Sequence, residues 1–148
     1  MSQIRFQRLT EQATLPKRGT PFSAGFDLYT SEEVFIPYGS RKLVSTGLEL
    51  AECPQDVYLR IAPRSGKAVK GIDIGAGVVD SDYRGTIKIL VINNTRDHIT
   101  VESGDRIAQM IPECIRPDLT CVINGEENST NEQFLREERG SGGFGSTQ

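Results

Sequence analysis

The chain has 148 residues and a mass of 16.3 kDa, with 36% hydrophobic and 25% charged residues, which is typical of one globular domain. Its 17 Lys and Arg residues against 20 Asp and Glu give a formal net charge of −3, which excludes nucleic-acid binding driven by a strong basic surplus. No apolar run approaches the ~18 residues of a membrane helix, and the N-terminal stretch lacks a signal peptide's apolar core. We therefore expect a soluble, intracellular protein; cytoplasm, nucleus and a viral origin all remain open.

Short apolar runs between turn signals predict β-strands along most of the chain. The predicted strands lie at 4–9, 26–30, 33–36, 41–44, 48–51, 57–61, 86–92, 99–101, 107–111 and 119–123. The run 86–92 is almost continuously apolar, which predicts a strand buried on both faces. Helix signals are few: one turn after Pro63 with Ser65 as its cap, and a capping box that predicts a helix over 129–138. This pattern predicts an all-β sandwich or barrel.

The three cysteines do not predict a disulfide framework or a zinc site. Cys53, Cys114 and Cys121 form no CxxC pair, and His98 is the only imidazole in the sequence. We expect the cysteines to be small, partly buried apolar side chains. A hard cation bound through carboxylates and substrate phosphates requires neither Cys nor His, so this kind of metal site stays open.

Two segments carry groups suited to binding an anion or activating water. Pro63-Arg64-Ser65-Gly66 places a hydroxyl, main-chain N–H groups and a guanidinium at a helix start, although a capped turn with a solvated Arg explains it equally simply. The segment 75–85, GAGVVDSDYRG, holds two carboxylates, a Tyr and an Arg between apolar strands. Asp80 and Tyr83 can serve one site only if the chain bends in a hairpin there; the alternative is a hairpin tip with turn-forming Asp residues.

Three further segments are weaker when taken singly. In AGFDL, Asp27 interrupts an apolar strand, where it either braces a site or bonds to a neighbouring loop. In GDRIAQ, residues 104–109, a turn enters a strand, and a surface ion pair accounts for the pattern. The tail 139–148 is rich in Gly and Ser like a flexible extension, but its glycines, Arg139 and Phe144 also suit phosphate binding and base stacking.

Together and in this order, AGFDL, PRSG, GAGVVDSDYRG, GDRIAQ and RGSGGFGST resemble the five motifs of the homotrimeric deoxyuridine triphosphatase (dUTPase) family. The resemblance runs from about residue 5 to the C-terminus. It implies an all-β, jelly-roll-like barrel at 1–123 and a C-terminal arm at 124–148 that carries a flexible glycine-rich lid. It also implies a homotrimer whose active sites lie between subunits: one chain gives the first, second and fourth motifs, another the third, and the last its arm.

The implied reaction is Mg²⁺-dependent hydrolysis of dUTP to dUMP and pyrophosphate, which keeps uracil out of DNA and supplies dUMP. By resemblance, Asp80 activates the attacking water, a role that suits an ionised carboxylate. Mg²⁺ is held by the triphosphate and waters, with no direct protein ligand expected. Asp27 and Asp105 are expected to brace neighbouring motifs. The implied substrate-binding residues are Arg64, Ser65, Gly66, Gly77, Val78, Val79, Tyr83, Lys88, Gln109, Arg139, Ser141, Phe144, Gly145 and Ser146.

Within that set, the resemblance implies distinct tasks. Arg64, Ser65, Gly66 and Gln109 hold phosphate oxygens, and Arg139 with the end of the tail binds the γ-phosphate. The stretch 77–83 reads uracil through its main chain, Tyr83 lies against the deoxyribose, and Phe144 covers the base. Lys88 is expected to touch the base through its backbone, so its side chain is not expected to matter.

Three other functions compete with this interpretation. A deoxycytidine triphosphate deaminase on the same fold needs acid–base groups beside the base, whereas this sequence puts them at the phosphates and sugar. A non-catalytic, nucleotide-binding regulator on the same fold would have lost Asp80 or the tail, and both are present. A protein that binds single-stranded nucleic acid would require more aromatic residues and more basic strands than this chain has.

Overall fold

The structure is a computed structural model that describes residues 2–126 and 141–143. In these ranges the chain forms eleven strands and one short helix, α1, at Ser65–Val69. The strands are β1 Arg5–Arg8, β2 Lys17–Arg18, β3 Phe26–Tyr29, β4 Val34–Ile36, β5 Arg41–Glu52, β6 Val57–Pro63, β7 Ile72–Gly75, β8 Val78–Val79, β9 Thr86–Asn93, β10 Ile99–Val101 and β11 Arg106–Cys114. The all-β prediction is confirmed.

The strands form three sheets around one apolar core. A four-stranded sheet has the order β1-β5-β9-β7, a five-stranded sheet the order β2-β3-β11-β6-β8, and β10 pairs with β4. The two large sheets both supply fully buried side chains to the same cluster, such as Leu50 and Ile89 from one and Leu28 and Leu59 from the other. Burying each such side chain stabilises the fold by roughly 1.5–3 kcal/mol. The core therefore holds the two sheets together.

Most predicted strands are confirmed, with differences where the chain bends or pairs irregularly. The runs 41–44 and 48–51 join into the single strand β5, whose register with β9 shifts between Ser45 and Glu49 around Gly47, a residue with φ of 69°. The short strands β2, β7 and β8 were not predicted. Residues 119–123 are not a strand, and the predicted helix 129–138 lies outside the described residues.

The prediction that β9 is buried on both faces is wrong. Ile87, Ile89 and Val91 are buried, whereas Lys88 is exposed and Leu90 is half-buried. The strand therefore alternates like an ordinary sheet strand with one face toward the core. Leu90, on the outer face, borders a cavity described below.

The helical turn after Pro63 is confirmed, but the predicted role of Ser65 as its cap is wrong. Arg64 occupies the N-cap position without a side-chain hydrogen bond, and Ser65 is the first helical residue. The main-chain carbonyl of Arg64 accepts hydrogen bonds from the N–H groups of Lys67 and Ala68 at 3.0 and 2.9 Å. The Ser65 hydroxyl is thus left on an exposed turn rather than used to close the helix.

The expectation for the cysteines is correct only for Cys53, which is buried. Cys114 and Cys121 are exposed, and all three are free thiols. No helix among the described residues is long and apolar enough to cross a membrane.

Candidate functional site

Three of the sequence motifs meet at Asp27, because β11 lies between β3 and β6 in the five-stranded sheet. One carboxylate oxygen of Asp27 lies 3.1 Å from Nε of Arg64, and the other lies 3.6 Å from Nη1 of Arg106. Arg64 also donates through Nη1 to the carbonyl of Arg106 at 3.0 Å. The Asp27 side chain is only 17% exposed, so this bridge between two guanidiniums is partly shielded from water.

Gln109 of β11 lies in the same region, opposite Asp27. Its register partner on β3 is Asp27, and its Nε2 donates to the carbonyl of Pro63 at 3.0 Å. A Cβ at residue 25 would lie 2.6 Å from Oε1 of Gln109, so Gly25 leaves the space that this amide occupies. We call Asp27, Arg64, Arg106 and Gln109 the Asp27 cluster.

Beside this cluster, the start of α1 is open to solvent. Ser65 and Gly66 are both exposed, and a Cβ added at Gly66 would meet nothing within 4 Å. Two guanidiniums against one carboxylate leave a surplus of one positive charge next to these main-chain N–H groups. The arrangement suits the binding of a phosphate from solvent.

Asp105 acts at one remove from the cluster. Its Oδ2 accepts a hydrogen bond from the N–H of Glu102 at 2.9 Å, and its own N–H donates to the carbonyl of Glu102. These bonds close the turn that leads into β11. Asp105 therefore fixes the start of β11, the strand that carries Arg106 and Gln109.

A second region is a cavity of ≈ 230 Å³ between β7, β8 and β9, which we call the Tyr83 pocket. Its lining residues are mostly glycine and apolar residues. The lining residues are Ile61, Gly75, Ala76, Gly77, Val78, Val79, Tyr83, Thr86, Ile87, Lys88, Leu90 and Gly143. A wall of this kind can bind a small planar group through main-chain N–H and C=O groups.

A sharp turn at Ala76 and Gly77 brings the main chain into this wall. Ala76 has φ of 54° and Gly77 has φ of 91°, so two successive residues are left-handed. The N–H of Ile61 donates to the carbonyl of Gly77 at 2.7 Å, and a Cβ at residue 77 would lie 2.5 Å from the carbonyl oxygen of Ile61. Only glycine fits this close approach.

The chain then turns between β8 and β9, as predicted. The N–H of Tyr83 donates to the carbonyl of Asp80 at 3.1 Å, which brings these two residues together. The turn is not a hairpin, however, because β8 pairs with β6 whereas β9 pairs with β5 and β7. Asp80 is half-buried at the point where the chain crosses from one large sheet to the other.

The predicted site residues thus fall in two places. Gly77, Val78, Val79, Tyr83 and Lys88 line the Tyr83 pocket, whereas Arg64, Ser65, Gly66, Gln109 and Asp80 are not among the described residues that line it. From the tail, Ser141 is exposed, and Gly143 of the same chain lies against Tyr83. Arg139, Phe144, Gly145 and Ser146 lie outside the described residues.

Sequence reasoning missed Arg106 and the non-motif lining residues of the pocket. The sequence could have identified Arg106 as a site residue, because it follows Asp105 in a motif that already contains Gln109. Ile61 and Leu90 carried no such signal, because an apolar strand residue looks the same in a core and in a pocket wall.

Within residues 2–126 and 141–143, no three His, Cys, Asp or Glu side chains come together in a way that could hold a metal ion. The carboxylate of Asp27 is already engaged by Arg64 and Arg106.

Comparison with known proteins gives consistent results. The dUTPase family model matches residues 11–148. The deoxyuridine 5'-triphosphate nucleotidohydrolase of Yarrowia lipolytica is 47% identical over 141 residues, which cover 94% of this chain and 85% of the relative. The protein of the same name from Paramecium bursaria Chlorella virus 1 is 44% identical, and the match covers 99% of each chain.

Solved structures with the same fold are more distant in sequence. A mutant of the Staphylococcus bacteriophage 80alpha dUTPase with dUpNHpp superposes with a TM-score of 0.75 at 23% identity, covering 99% of both chains. A mutant dUTPase of phage phi11 of S. aureus, described with the coordination of a structural Mg(II) ion, gives 0.73 at 22% identity, covering 81% of this chain and 96% of that one.

Proposed function

The chain belongs to the dUTPase family and hydrolyses dUTP, and from that premise we propose how its residues divide the reaction. The observation that carries the proposal is the separation of the site into a charged cluster at Asp27 and a mostly apolar pocket at Tyr83, where Lys88 is the charged residue among the described lining. A nucleoside triphosphate has the same two halves, a chain of anionic phosphates and an uncharged base and sugar.

The Asp27 cluster binds the phosphates. Arg64 supplies a guanidinium whose direction is fixed by Asp27 at 3.1 Å, and Ser65 and the N–H of Gly66 are open to solvent beside it. Gln109 is held by its bond to Pro63 and retains a second N–H for a phosphate oxygen. Holding these donors in place before the substrate arrives lowers the entropy cost of binding.

The Tyr83 pocket binds uracil and deoxyribose. The main chain at 77–79 reads the edge of the base, and the narrow pocket leaves no room for the methyl group of thymine. The ring of Tyr83 borders the sugar and excludes a 2′-hydroxyl. Lys88 lines the same pocket, and in this proposal its main chain contacts the base.

Asp80 is the general base. It accepts a proton from the water whose oxygen attacks the α-phosphorus, while the bond from that phosphorus to the bridging oxygen breaks and pyrophosphate leaves. The turn that links Asp80 to Tyr83 supports this role, since its main-chain hydrogen bond holds Asp80 next to the residue that borders the sugar in this proposal. General-base catalysis of this kind contributes roughly 10²–10⁴-fold to the rate.

Mg²⁺ fits this site as an ion that enters with the substrate, held by phosphate oxygens and waters. When bound, it orders the phosphate chain and withdraws negative charge. Arg139, Ser141, Phe144, Gly145 and Ser146 form the lid in this proposal, which closes over the γ-phosphate and the base and excludes water.

The chain acts as a homotrimer with shared sites. Support comes from the separation of the two binding regions within one subunit. No residue of the Asp27 cluster is among the described residues that line the Tyr83 pocket. A neighbouring copy can supply the missing half in a ring of head-to-tail contacts.

The test is pyrophosphate release with Mg²⁺ from dUTP, dCTP, dTTP and UTP offered separately. Release from dUTP alone supports the proposed base and sugar contacts. Equal release from UTP would contradict the role of Tyr83, and ammonia from dCTP would point to a deaminase. Binding of dUTP without any turnover would favour a regulatory nucleotide-binding protein.

A further inference from the structure

We propose that Gly85 is a positioning residue for the ring of Tyr83 and thereby sets the width of the nucleoside pocket. The inference rests on the proposed function, in which that ring borders the sugar. Gly85 itself is not among the described residues that line the pocket, so it would act only through Tyr83.

The first observation is the close approach of the ring to Gly85. A Cβ at residue 85 would lie 2.3 Å from the hydroxyl oxygen of Tyr83, 2.6 Å from Cζ and 3.0 Å from Cε1. Any side chain at this position would therefore overlap the outer end of the ring. The space that glycine leaves empty is the space that the ring occupies.

The second observation is that the ring is anchored at both ends. Its hydroxyl donates to the carbonyl of Thr86 at 2.9 Å. At the other end, Nη1 of Arg84 donates to the carbonyls of Ser81 and Tyr83 at 2.8 and 2.9 Å, which fixes the backbone that carries the ring. The ring cannot yield to a new side chain without losing the bond to Thr86.

The ring that would be displaced forms part of the pocket wall. Tyr83 lines the cavity, whereas Gly85 lies at the outer end of the ring and is not among the described lining residues. A methyl group at residue 85 would therefore change the shape of the pocket. Gly143 lies near the same edge of the ring, where an added Cβ would be 3.3 Å from Cε1.

Gly85 is not required for the backbone conformation. It is not among the glycines with positive φ, so alanine fits its φ without strain. The far end of a side chain is also easier to displace than a backbone atom. We therefore expect Gly85→Ala to leave the fold nearly unchanged and to impair nucleotide binding.

The experiment is a double-mutant cycle on the full chain with dUTP and UTP as substrates. We expect Gly85→Ala to raise the KM for dUTP on the order of tenfold or more, since small misplacements in a site have effects of this size. In the Tyr83→Ala background the same change should alter KM by less than about twofold, because the overlap is gone. Gly19→Ala is the matched control, since its nearest neighbour would be Ser23 Oγ at 3.8 Å.

Each outcome decides the proposal. An unchanged KM in Gly85→Ala, or an equal rise in the Tyr83→Ala background, would overturn it. If Gly85→Ala does not fold, recovery of folding in the double variant supports the overlap with the ring, and failure of both to fold contradicts it. The proposed function is tested separately: Tyr83→Ala must raise kcat/KM for UTP relative to dUTP, and a constant ratio would refute the sugar contact without affecting the cycle.

Discussion

The Asp27 cluster is built from charged side chains and one amide, whereas the Tyr83 pocket is lined mostly by glycines and apolar side chains. The cluster gains its order from ion pairs and hydrogen bonds that span three strands of one sheet. The pocket gains its order from a backbone turn at Gly77 and from the fixed ring of Tyr83. In the proposed function, anion binding therefore depends on which side chains are present, and base recognition depends on which side chains are absent.

We expect the strongest loss of activity from a change at Asp80, which lies in the turn between β8 and Tyr83. Asp80→Asn keeps the shape of the turn but removes the proton acceptor. We expect kcat to fall by roughly 10²–10⁴-fold while the Kd for dUTP stays near that of the wild type. Steady-state kinetics and calorimetric binding separate the two quantities, and near-normal turnover would end the assignment of Asp80.

Gly77→Ala tests the base side alone. The change places a methyl group 2.5 Å from the carbonyl oxygen of Ile61 at a φ of 91°, so we expect about 1–3 kcal/mol of strain and at least a tenfold weaker affinity for dUTP. Gly39→Ala is the control, because Gly39 has φ of 73° but nothing within 4 Å of the added methyl group. Equal losses of dUTP affinity in both variants would mean that strain alone, not the pocket wall, explains the result.

Asp27→Asn tests the phosphate side alone. Without the carboxylate, Arg64 and Arg106 lose their shared partner, and we expect the KM for dUTP to rise about tenfold and unfolding to become easier by about 1–3 kcal/mol. The exposed pair of Arg5 and Glu52 gives a control, since Glu52→Gln should change stability by about 0–1 kcal/mol and leave KM unchanged. Tighter binding of dUTP in Asp27→Asn would contradict the positioning role.

The smallest effect is expected from the thiols. Burial raises the pKa of Cys53 from its ordinary value of 9.0, partly offset by the nearby Arg84 guanidinium. The raised pKa means that Cys53 stabilises the fold at neutral pH and that this contribution is lost as pH rises above 9.0. Iodoacetamide should modify the exposed Cys114 and Cys121 first without loss of activity; fastest modification at Cys53 would refute this expectation.

How far the sequence predicts the molecule depends on the kind of feature. The alternating run 57–61 predicts β6 because period-two burial is a local property. The joining of 41–44 to 48–51 was missed, because it depends on a left-handed Gly47 within the strand. The two-residue strands β2 and β8 are defined by their partners, not by their own residues.

For the site, the sequence identifies residue types but not their spatial grouping. The resemblance selects Asp27, Arg64 and Gln109 together, and the strand order β3-β11-β6 explains why they meet. The resemblance did not select Arg106, which the structure adds to the cluster through its 3.6 Å contact with Asp27 and its carbonyl's hydrogen bond from Arg64. The requirement for glycine at residue 85 is invisible in the sequence, because it depends on where the Tyr83 ring lies.

The central claim is that the two regions complete one site across subunits, and mixed oligomers test it most directly. One variant carries Asp80→Asn and the other Arg64→Ala, each nearly inactive alone, and the two are co-expressed and co-purified with different tags. If each site of a trimer takes Asp80 and Arg64 from different chains, about one of the three sites in every mixed trimer keeps both residues, so about one third of wild-type activity should return. Activity no higher than that of either variant alone would contradict the claim.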